Sequence, residues 1–404
     1  MSIFYLIFIL LTAYFSYRYD RIEEYDSHKQ HRLWLMCGYL ICLTGFSYGL
    51  GADKFTYMEE FEYYPNSFSE TIDYIWVGLL TRGQMPLWTI VNVACKIFFD
   101  SFYAVQFMES AVINIAVCYI VSKYTRRYFL FLLIYFLSLQ YFIFNTEVMR
   151  EGFALALTLI GMDGWIRGRK WLYFLTLPIA LMFHISASAA LLFPFVRFKI
   201  SWVTLLYAFV AAVALWGVSD ILLGRLMGEA VGSQDSLSSK VMYYSIQATS
   251  IFGLIRHSAR FLIFPFIIMY TSIIFEPSEI MKKYKEKLTA YMIILAILAS
   301  AIPGAVRFYN YALIFYIISF ADFVYMLFRI KKHLVIRIGT MLGTLFFVFD
   351  LWTGHYKTTN SYFYEFFYPY TCILDENAEV DFRPIAHNEA TSFQAEDKNT
   401  RDIK

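Results

Sequence analysis

Long apolar runs broken by short basic or acidic segments dominate this chain. Runs long enough to cross about 30 Å of hydrocarbon lie at 1–17, 33–50, 101–122, 128–147, 150–166, 201–222, 258–275, 288–304, 308–328 and 334–353. They predict an all-α polytopic membrane protein with about ten transmembrane helices. The opening run, "MSIFYLIFILLTAYFSY", has no basic n-region and no small-residue cleavage site, so it reads as a retained helix.

Two further apolar runs, 85–99 and 171–196, do not fit a simple count, and the charge asymmetry of the loops decides them. Basic clusters at Arg18/Arg21/Lys29/Arg32, Lys123/Arg126/Arg127, Arg167/Arg169/Lys170, Arg197/Lys199, Lys282/Lys283/Lys285/Lys287 and Arg329/Lys331/Lys332 are all expected on the cytoplasmic side. Both ends of 171–196 then share a side, yet the run is too short for two spans of roughly 20 residues each. It is therefore expected to form a hairpin of two short helices that turns near "MFHIS", 182–186, with both ends cytoplasmic. The same parity makes 85–99 interfacial or re-entrant, giving one or two such segments in all. The N-terminus, residues 51–100, the loop 223–257, the turn 303–307 and the C-terminal tail fall outside.

Composition supports this reading and removes others. The 404 residues are 59% hydrophobic and 16% charged, with a mean hydropathy of +0.51, far from the profile of soluble domains. A net charge of +2 gives nucleic-acid binding no electrostatic basis. Aromatic residues, 20% of the chain, suit lipid-facing helices, interfacial belts and stacking on sugar rings alike. Cys37, Cys42, Cys95, Cys118 and Cys372 lack the spacing of metal ligands and read as packing residues, so neither metal nor cofactor is expected. Residues 1–371 form one integral membrane domain on this reading, and the polar, acidic stretch 372–404 a disordered tail.

Ionisable residues at membrane depth are costly and mark function by default. Arg150 opens a helix at the outer edge, and its fork geometry suits a phosphate or diphosphate. The plain alternative is an ion pair with Glu147 at i−3. His184, followed by Ser186, sits at the hairpin turn, where backbone is open to a ligand. Arg256 and Arg260 in "IRHSARF", and Arg307 with Tyr311 in "PGAVRFYNYALIFY", are assigned to the same outer level. These arginines are expected to line one cavity with Arg150. Asp53, beside Gly51 and ahead of Tyr57, is a candidate base for a sugar hydroxyl; His184 is the other.

At these residues the chain resembles the EpsG-like branch of the Wzy-type polysaccharide polymerases. The matching features are Gly51-x-Asp53-x-x-x-Tyr57, Arg150-x-x-Phe153-Ala154, Phe183-His184-x-Ser186-Ala187 and "YEFFYPY" at 364–370. Glu151 stands where the family pattern has Gln. The resemblance implies a GT-C-like, metal-independent glycosyltransferase of the bacterial cytoplasmic membrane, with its active site on the extracytoplasmic side. Its substrates would be undecaprenyl-diphosphate-linked oligosaccharides of capsule, exopolysaccharide or O-antigen synthesis, and its partners a chain-length regulator and a flippase. Catalytic roles fall on His184 and Asp53, and substrate-binding roles on Arg150, Arg256, Arg260, Arg307, Tyr57, Ser186 and Tyr311. Two other functions compete: a lipid-linked oligosaccharide flippase, which would carry charges right across the bilayer, and a membrane O-acyltransferase, which would place Arg and His near the first helix.

Overall fold

The computed structural model describes residues 3–24, 26–51, 53–81, 85–230, 251–302, 305–329, 355–356 and 361–374. The predicted span 334–353, most of the loop 223–257, part of the turn 303–307 and the tail from 375 onward lie outside the described residues.

Apolar runs become helices because hydrocarbon offers no partner to backbone N–H and C=O groups. In chain order these are α1 (Ile3–Tyr19), α2 (Ser27–Gly45), α3 (Asp53–Glu62), α4 (Phe68–Thr81), α5 (Pro86–Phe99), α6 (Phe102–Tyr124), α7 (Tyr128–Leu137) and α8 (Gln140–Phe142). A π-helical turn, Ile143–Glu147, leads to α9 (Met149–Ile166), α10 (Lys170–Phe183), a 3₁₀ segment Ile185–Phe195 and α11 (Trp202–Ala230). Then come α12 (Ile251–His257), a second π segment Ser258–Ile263, α13 (Phe264–Ile274), α14 (Glu279–Ala301) and α15 (Val306–Arg329). Two strands, β1 (His355–Tyr356) and β2 (Ser361–Tyr362), pair antiparallel.

Among the described residues four helices are long and apolar enough to cross a membrane: Phe102–Tyr124, Trp202–Ser219, Ile251–Ile274 and Val306–Leu327. The expected ten are not confirmed among these residues, and several of the predicted runs differ from a plain span. Helix α1 has 17 residues, α2 opens on "SHKQHR", α9 carries Arg150, Glu151 and Asp163, and α14 begins "EIMKKYKEK". The run 128–147 is not one straight helix, because it bends by 80° between Leu137 and Gln140, where Leu139 adopts a left-handed φ of 60°.

Of the two short runs, 171–196 folds as the expected hairpin. Helix α5 is 14 residues long. In 171–196 the helix stops at Phe183, His184 is extended, and the 3₁₀ segment returns. The Tyr173 hydroxyl donates to the Ala190 carbonyl at 2.5 Å, which holds the two arms of the hairpin together.

The chain forms two compact units, one from 1–74, 87–153 and 324–404, the other from 75–86 and 154–323. A polar clamp closes one end of the first. Asp20, buried just beyond α1, accepts the backbone N–H groups of Phe129 and Leu130 and so caps α7. Arg127 donates to the Asp20 carbonyl and lies 2.5 Å from Glu23 Oε1, while Lys29 donates to the carbonyls of Ile22 and Arg126. In the second unit Lys285 sits 2.7 Å from Glu276 Oε2 and 2.8 Å from Asp322 Oδ2, tying α13, α14 and α15 together.

Burial raises the Asp20 carboxyl to about 6, against the opposing pull of its two backbone hydrogen bonds and Lys29. A raised folded-state value means the folded protein holds this proton more tightly than the unfolded chain. That contribution is complete below the ordinary value of 3.8 and is lost as pH rises through about 6. Ionised Asp20 therefore costs on the order of 3 kcal/mol at neutral pH. Thermal unfolding in detergent should show Asp20→Asn gaining on the wild type between about pH 4 and 6.5 and running parallel to it above, whereas parallel pH profiles throughout would refute the assignment.

Candidate functional site

In the first unit, the π segment sets the geometry. Asn145 within it is buried. Its side-chain carbonyl accepts from Asn114 Nδ2 at 2.7 Å and Thr44 Oγ1 at 3.1 Å, and its amide donates to the Tyr141 carbonyl. This anchors the segment to α2 and α6 and presents Glu147 and Arg150 at the break before α9. π-Helical turns widen a helix locally and recur at functional sites.

Glu147 does not pair with Arg150. Its Oε2 accepts the Asp53 N–H at 3.2 Å, at the start of α3, and its carbonyl accepts the Tyr57 hydroxyl at 3.4 Å. Gly51 is required beside it: its φ is +85°, and a Cβ there would lie 2.7 Å from Glu147 Oε1 and 2.8 Å from Thr146 Oγ1. The Gly51 N–H donates to the Phe366 carbonyl at 2.9 Å, and Tyr48 N–H to the Thr371 carbonyl. The motif "YEFFYPY" is thus joined to the Gly51–Asp53 turn.

Freed from Glu147, the Arg150 guanidinium lies over the Tyr57 ring, 5.3 Å from its centroid, a cation–π arrangement. Its Nε is buried without a hydrogen-bond partner, and among the described residues it makes no ion pair. Tyr57 in turn packs edge-on against Trp88, at 5.4 Å between centroids. Burial first, then Glu60, pushes the Tyr64 hydroxyl up, and Arg150 works against both. The fold thus gathers Asp53, Tyr57 and Arg150, with Glu60 and Tyr64 nearby.

In the second unit, three other predicted residues form a chain of hydrogen bonds. His184 Nδ1 lies 2.5 Å from Ser186 Oγ, which lies 2.9 Å from the Tyr311 hydroxyl. The Ser186 backbone N–H also donates to Nδ1, at 3.3 Å. That N–H makes Nδ1 an acceptor, so the neutral ring carries its hydrogen on Nε2. Tyr311 is fully buried on α15, and Ser186 is buried at the hairpin turn.

The arginines of this unit go elsewhere. Arg260 acts electrostatically on the hydroxyls of Tyr309 and Tyr316, and its neighbour Phe261 packs on Tyr309 at 5.2 Å. Tyr309 and Tyr311 are about 200° apart around a helix. Arg260 therefore meets a different face of α15 from the one that holds Ser186. Arg256 and Arg307 are exposed.

Glu109 is a further acid that the sequence motifs do not mark. It is fully buried in α6 with neither carboxylate oxygen hydrogen-bonded. A Cβ on Gly152, two residues after Arg150 in α9, would fall on its Oε1, and Lys54 acts on it electrostatically. The signal was present in the run 101–122, where an acid accompanies Gln106, Ser110 and Asn114 at helical spacing. Among the described residues no three His, Cys, Asp or Glu side chains converge as a metal ion would need.

The Gly51 geometry is directly testable. Gly51→Ala should lower stability by about 1–3 kcal/mol through strained φ and the collision with Glu147. Glu147→Ala in that background should recover only the part of the clash that Glu147 causes, with the contacts to Thr146 remaining. A Gly51→Ala protein as thermostable as the wild type would show that the turn is built differently.

No curated protein and no solved structure matches the chain, so the GT-C-like expectation rests on sequence alone. Residues 32–372, most of the chain and all the motifs above, do match one family. This helical membrane protein, with a buried arginine at the mouth of α9 and its Gly51, Arg150 and His184 motifs in ordered positions, belongs to the EpsG family, which is associated with glycosyltransferase-like activity in polysaccharide biosynthesis.

Proposed function

We propose that the protein is the polymerase that joins undecaprenyl-diphosphate-linked oligosaccharide repeat units, in capsular, exopolysaccharide or O-antigen synthesis. On this reading it works in the bacterial cytoplasmic membrane, facing the extracytoplasmic side. The observation that carries the proposal is Arg150. A buried guanidinium that makes no close ion pair among the described residues, balanced by Tyr57 and by the charge of Glu60 beyond ion-pair distance, is costly to keep and would gain from a ligand anion.

The reaction needs such a cation. The acceptor hydroxyl oxygen attacks the anomeric carbon, the bond from that carbon to the diphosphate oxygen breaks, and its electron pair leaves on the diphosphate. Arg150 would bind that diphosphate in a bidentate contact that strengthens as its charge grows. Arg256, Arg260 and Arg307 are proposed as further contacts to anionic or hydroxyl groups of the substrates, and Tyr57, Ser186 and Tyr311 as sugar-binding groups.

The hydroxyl proton must pass to a base, and the geometry separates the two candidates. An imidazole acting as base at Nε2 must carry its hydrogen on Nδ1, which would break the bond from the Ser186 N–H. His184 is therefore better suited to donate from Nε2 to a substrate oxygen, with Tyr311 and Ser186 fixing its ring. Asp53, held at the first turn of α3 through Glu147, is the carboxylate in the base role.

Purified protein given a lipid-linked repeat unit should produce a ladder of longer products. Arg150→Lys keeps the charge but loses the fork, and should fold yet polymerise on the order of 10²–10³ more slowly. Glu147→Gln retains an acceptor for the Asp53 N–H and should remain close to wild type. Normal polymer length from well-folded Arg150→Lys would end the proposal.

A further inference from the structure

Several cations on this protein pair with neighbouring acids. Arg167 and Arg169 share Asp163, Lys285 has Glu276 and Asp322, and Arg127 has Glu23. One group departs from this pattern. Arg197 and Lys199, after the returning arm of the hairpin, and Lys283 and Lys287, on the first turns of α14, surround one open cavity of about 390 Å³. Among the described residues none of the four makes an ion pair. Glu286 is the one acid in the lining, so four cations less one carboxylate leave a formal charge of +3.

Three features shape this cavity for an amphiphile. Lys287 is held in place, its Nζ 3.4 Å from the Val196 carbonyl and 4.9 Å from the centre of the Phe193 ring. Burial and the repulsion of Arg197 both disfavour its charged form, a strain that a bound anion would relieve. Arg197 also lines a second cleft, of about 330 Å³, whose other walls are the apolar Trp165, Pro194 and Phe195. Phe195 is 84% exposed, so the cleft opens on a surface that favours hydrocarbon over water.

We propose that this paired cleft is a binding site for an anionic phospholipid, with the headgroup phosphate among Arg197, Lys199, Lys283 and Lys287 and an acyl chain along Trp165, Pro194 and Phe195. Charge complementarity selects the headgroup, and the adjoining apolar wall selects a lipid over a water-borne phosphate. Basic pockets between membrane helices are suited to acidic headgroups on general electrostatic grounds. Positive-inside asymmetry assigns both basic clusters to the cytoplasmic leaflet, so the site is separate from the donor and acceptor chemistry proposed above. It ties the hairpin to α14 through a lipid and makes the local packing depend on membrane composition.

The test uses the full chain in neutral detergent, with lipid retention followed by native mass spectrometry. Phosphatidylglycerol should be retained on the order of tenfold better than phosphatidylcholine with the same acyl chains. Arg197→Gln/Lys287→Gln should abolish most of that preference, while Arg197→Lys/Lys287→Arg should keep it. If the first pair fails to fold, Lys199→Gln/Lys283→Gln removes two exposed cations from the same lining and should lower the preference several-fold. Millimolar inorganic phosphate should leave the bound lipid in place. Equal retention of the two lipids, an undiminished preference in folded glutamine variants, or displacement of phosphatidylglycerol by inorganic phosphate would each overturn the assignment.

Discussion

The hydrogen bonds that Asn145 makes inside the apolar core are the constraint on which the candidate site depends. A polar group buried among helices must find a partner or cost 1–3 kcal/mol or more. Here Thr44, Ser110, Asn114, Tyr141 and Asn145 bond to one another, with the Asn114 side-chain oxygen left over: Thr44 Oγ1 lies 2.6 Å from Ser110 Oγ, and Tyr141 donates to both the Leu40 carbonyl and Thr44. The network lies just beyond the point where the run after α7 turns aside by 80°. The bend and the π turn then deliver Glu147 to α3 and leave Arg150 at the mouth of α9.

The same network explains why distant parts of the sequence share one site. Gln106 donates to the carbonyls of Thr44, Gly45 and Ser47, and Lys54 donates to Ser47 from a fully buried position. Ser47 also forms a backbone bridge with Cys372, and the Tyr5 hydroxyl donates to the Phe367 carbonyl. The turn that carries Gly51 and Asp53 is thereby held from three directions: by α6, by the π segment and by the C-terminal motif. A turn so constrained can hold a carboxylate at a defined height, which a flexible outer loop could not.

Glu109 stands apart from this economy of partners. It is buried beside Gly152 with both oxygens unbonded, in contact with the first turn of α9. Its closeness also accounts for the small residue at 152, since any side chain there would meet its carboxyl group. The contrast with Asp163 is instructive: that acid, equally buried, is matched by two arginines.

Much of the architecture was legible in the amino-acid order. Apolar runs and basic punctuation established a helical membrane protein, and parity alone required the hairpin at 171–196 that Tyr173 and Ala190 close. His184, Ser186 and Tyr311 were named as site residues, and their grouping follows from Ser186 facing α15. The break in 128–147 was not legible, because "YFLFLLIYFLSLQYFIFNTE" has no Gly or Pro and local propensity favours a continuous helix. Nor was the partner of Glu147: at i−3 from Arg150 an ion pair is the local expectation, and only the tertiary fold brings the Asp53 N–H within reach. Hydrophobic periodicity depends on neighbours a few residues apart, so the sequence by itself determined the helices and their punctuation. The pairing of buried polar groups depends on neighbours brought together by folding, so the tertiary structure decided where the helices break and which partners the buried charges find.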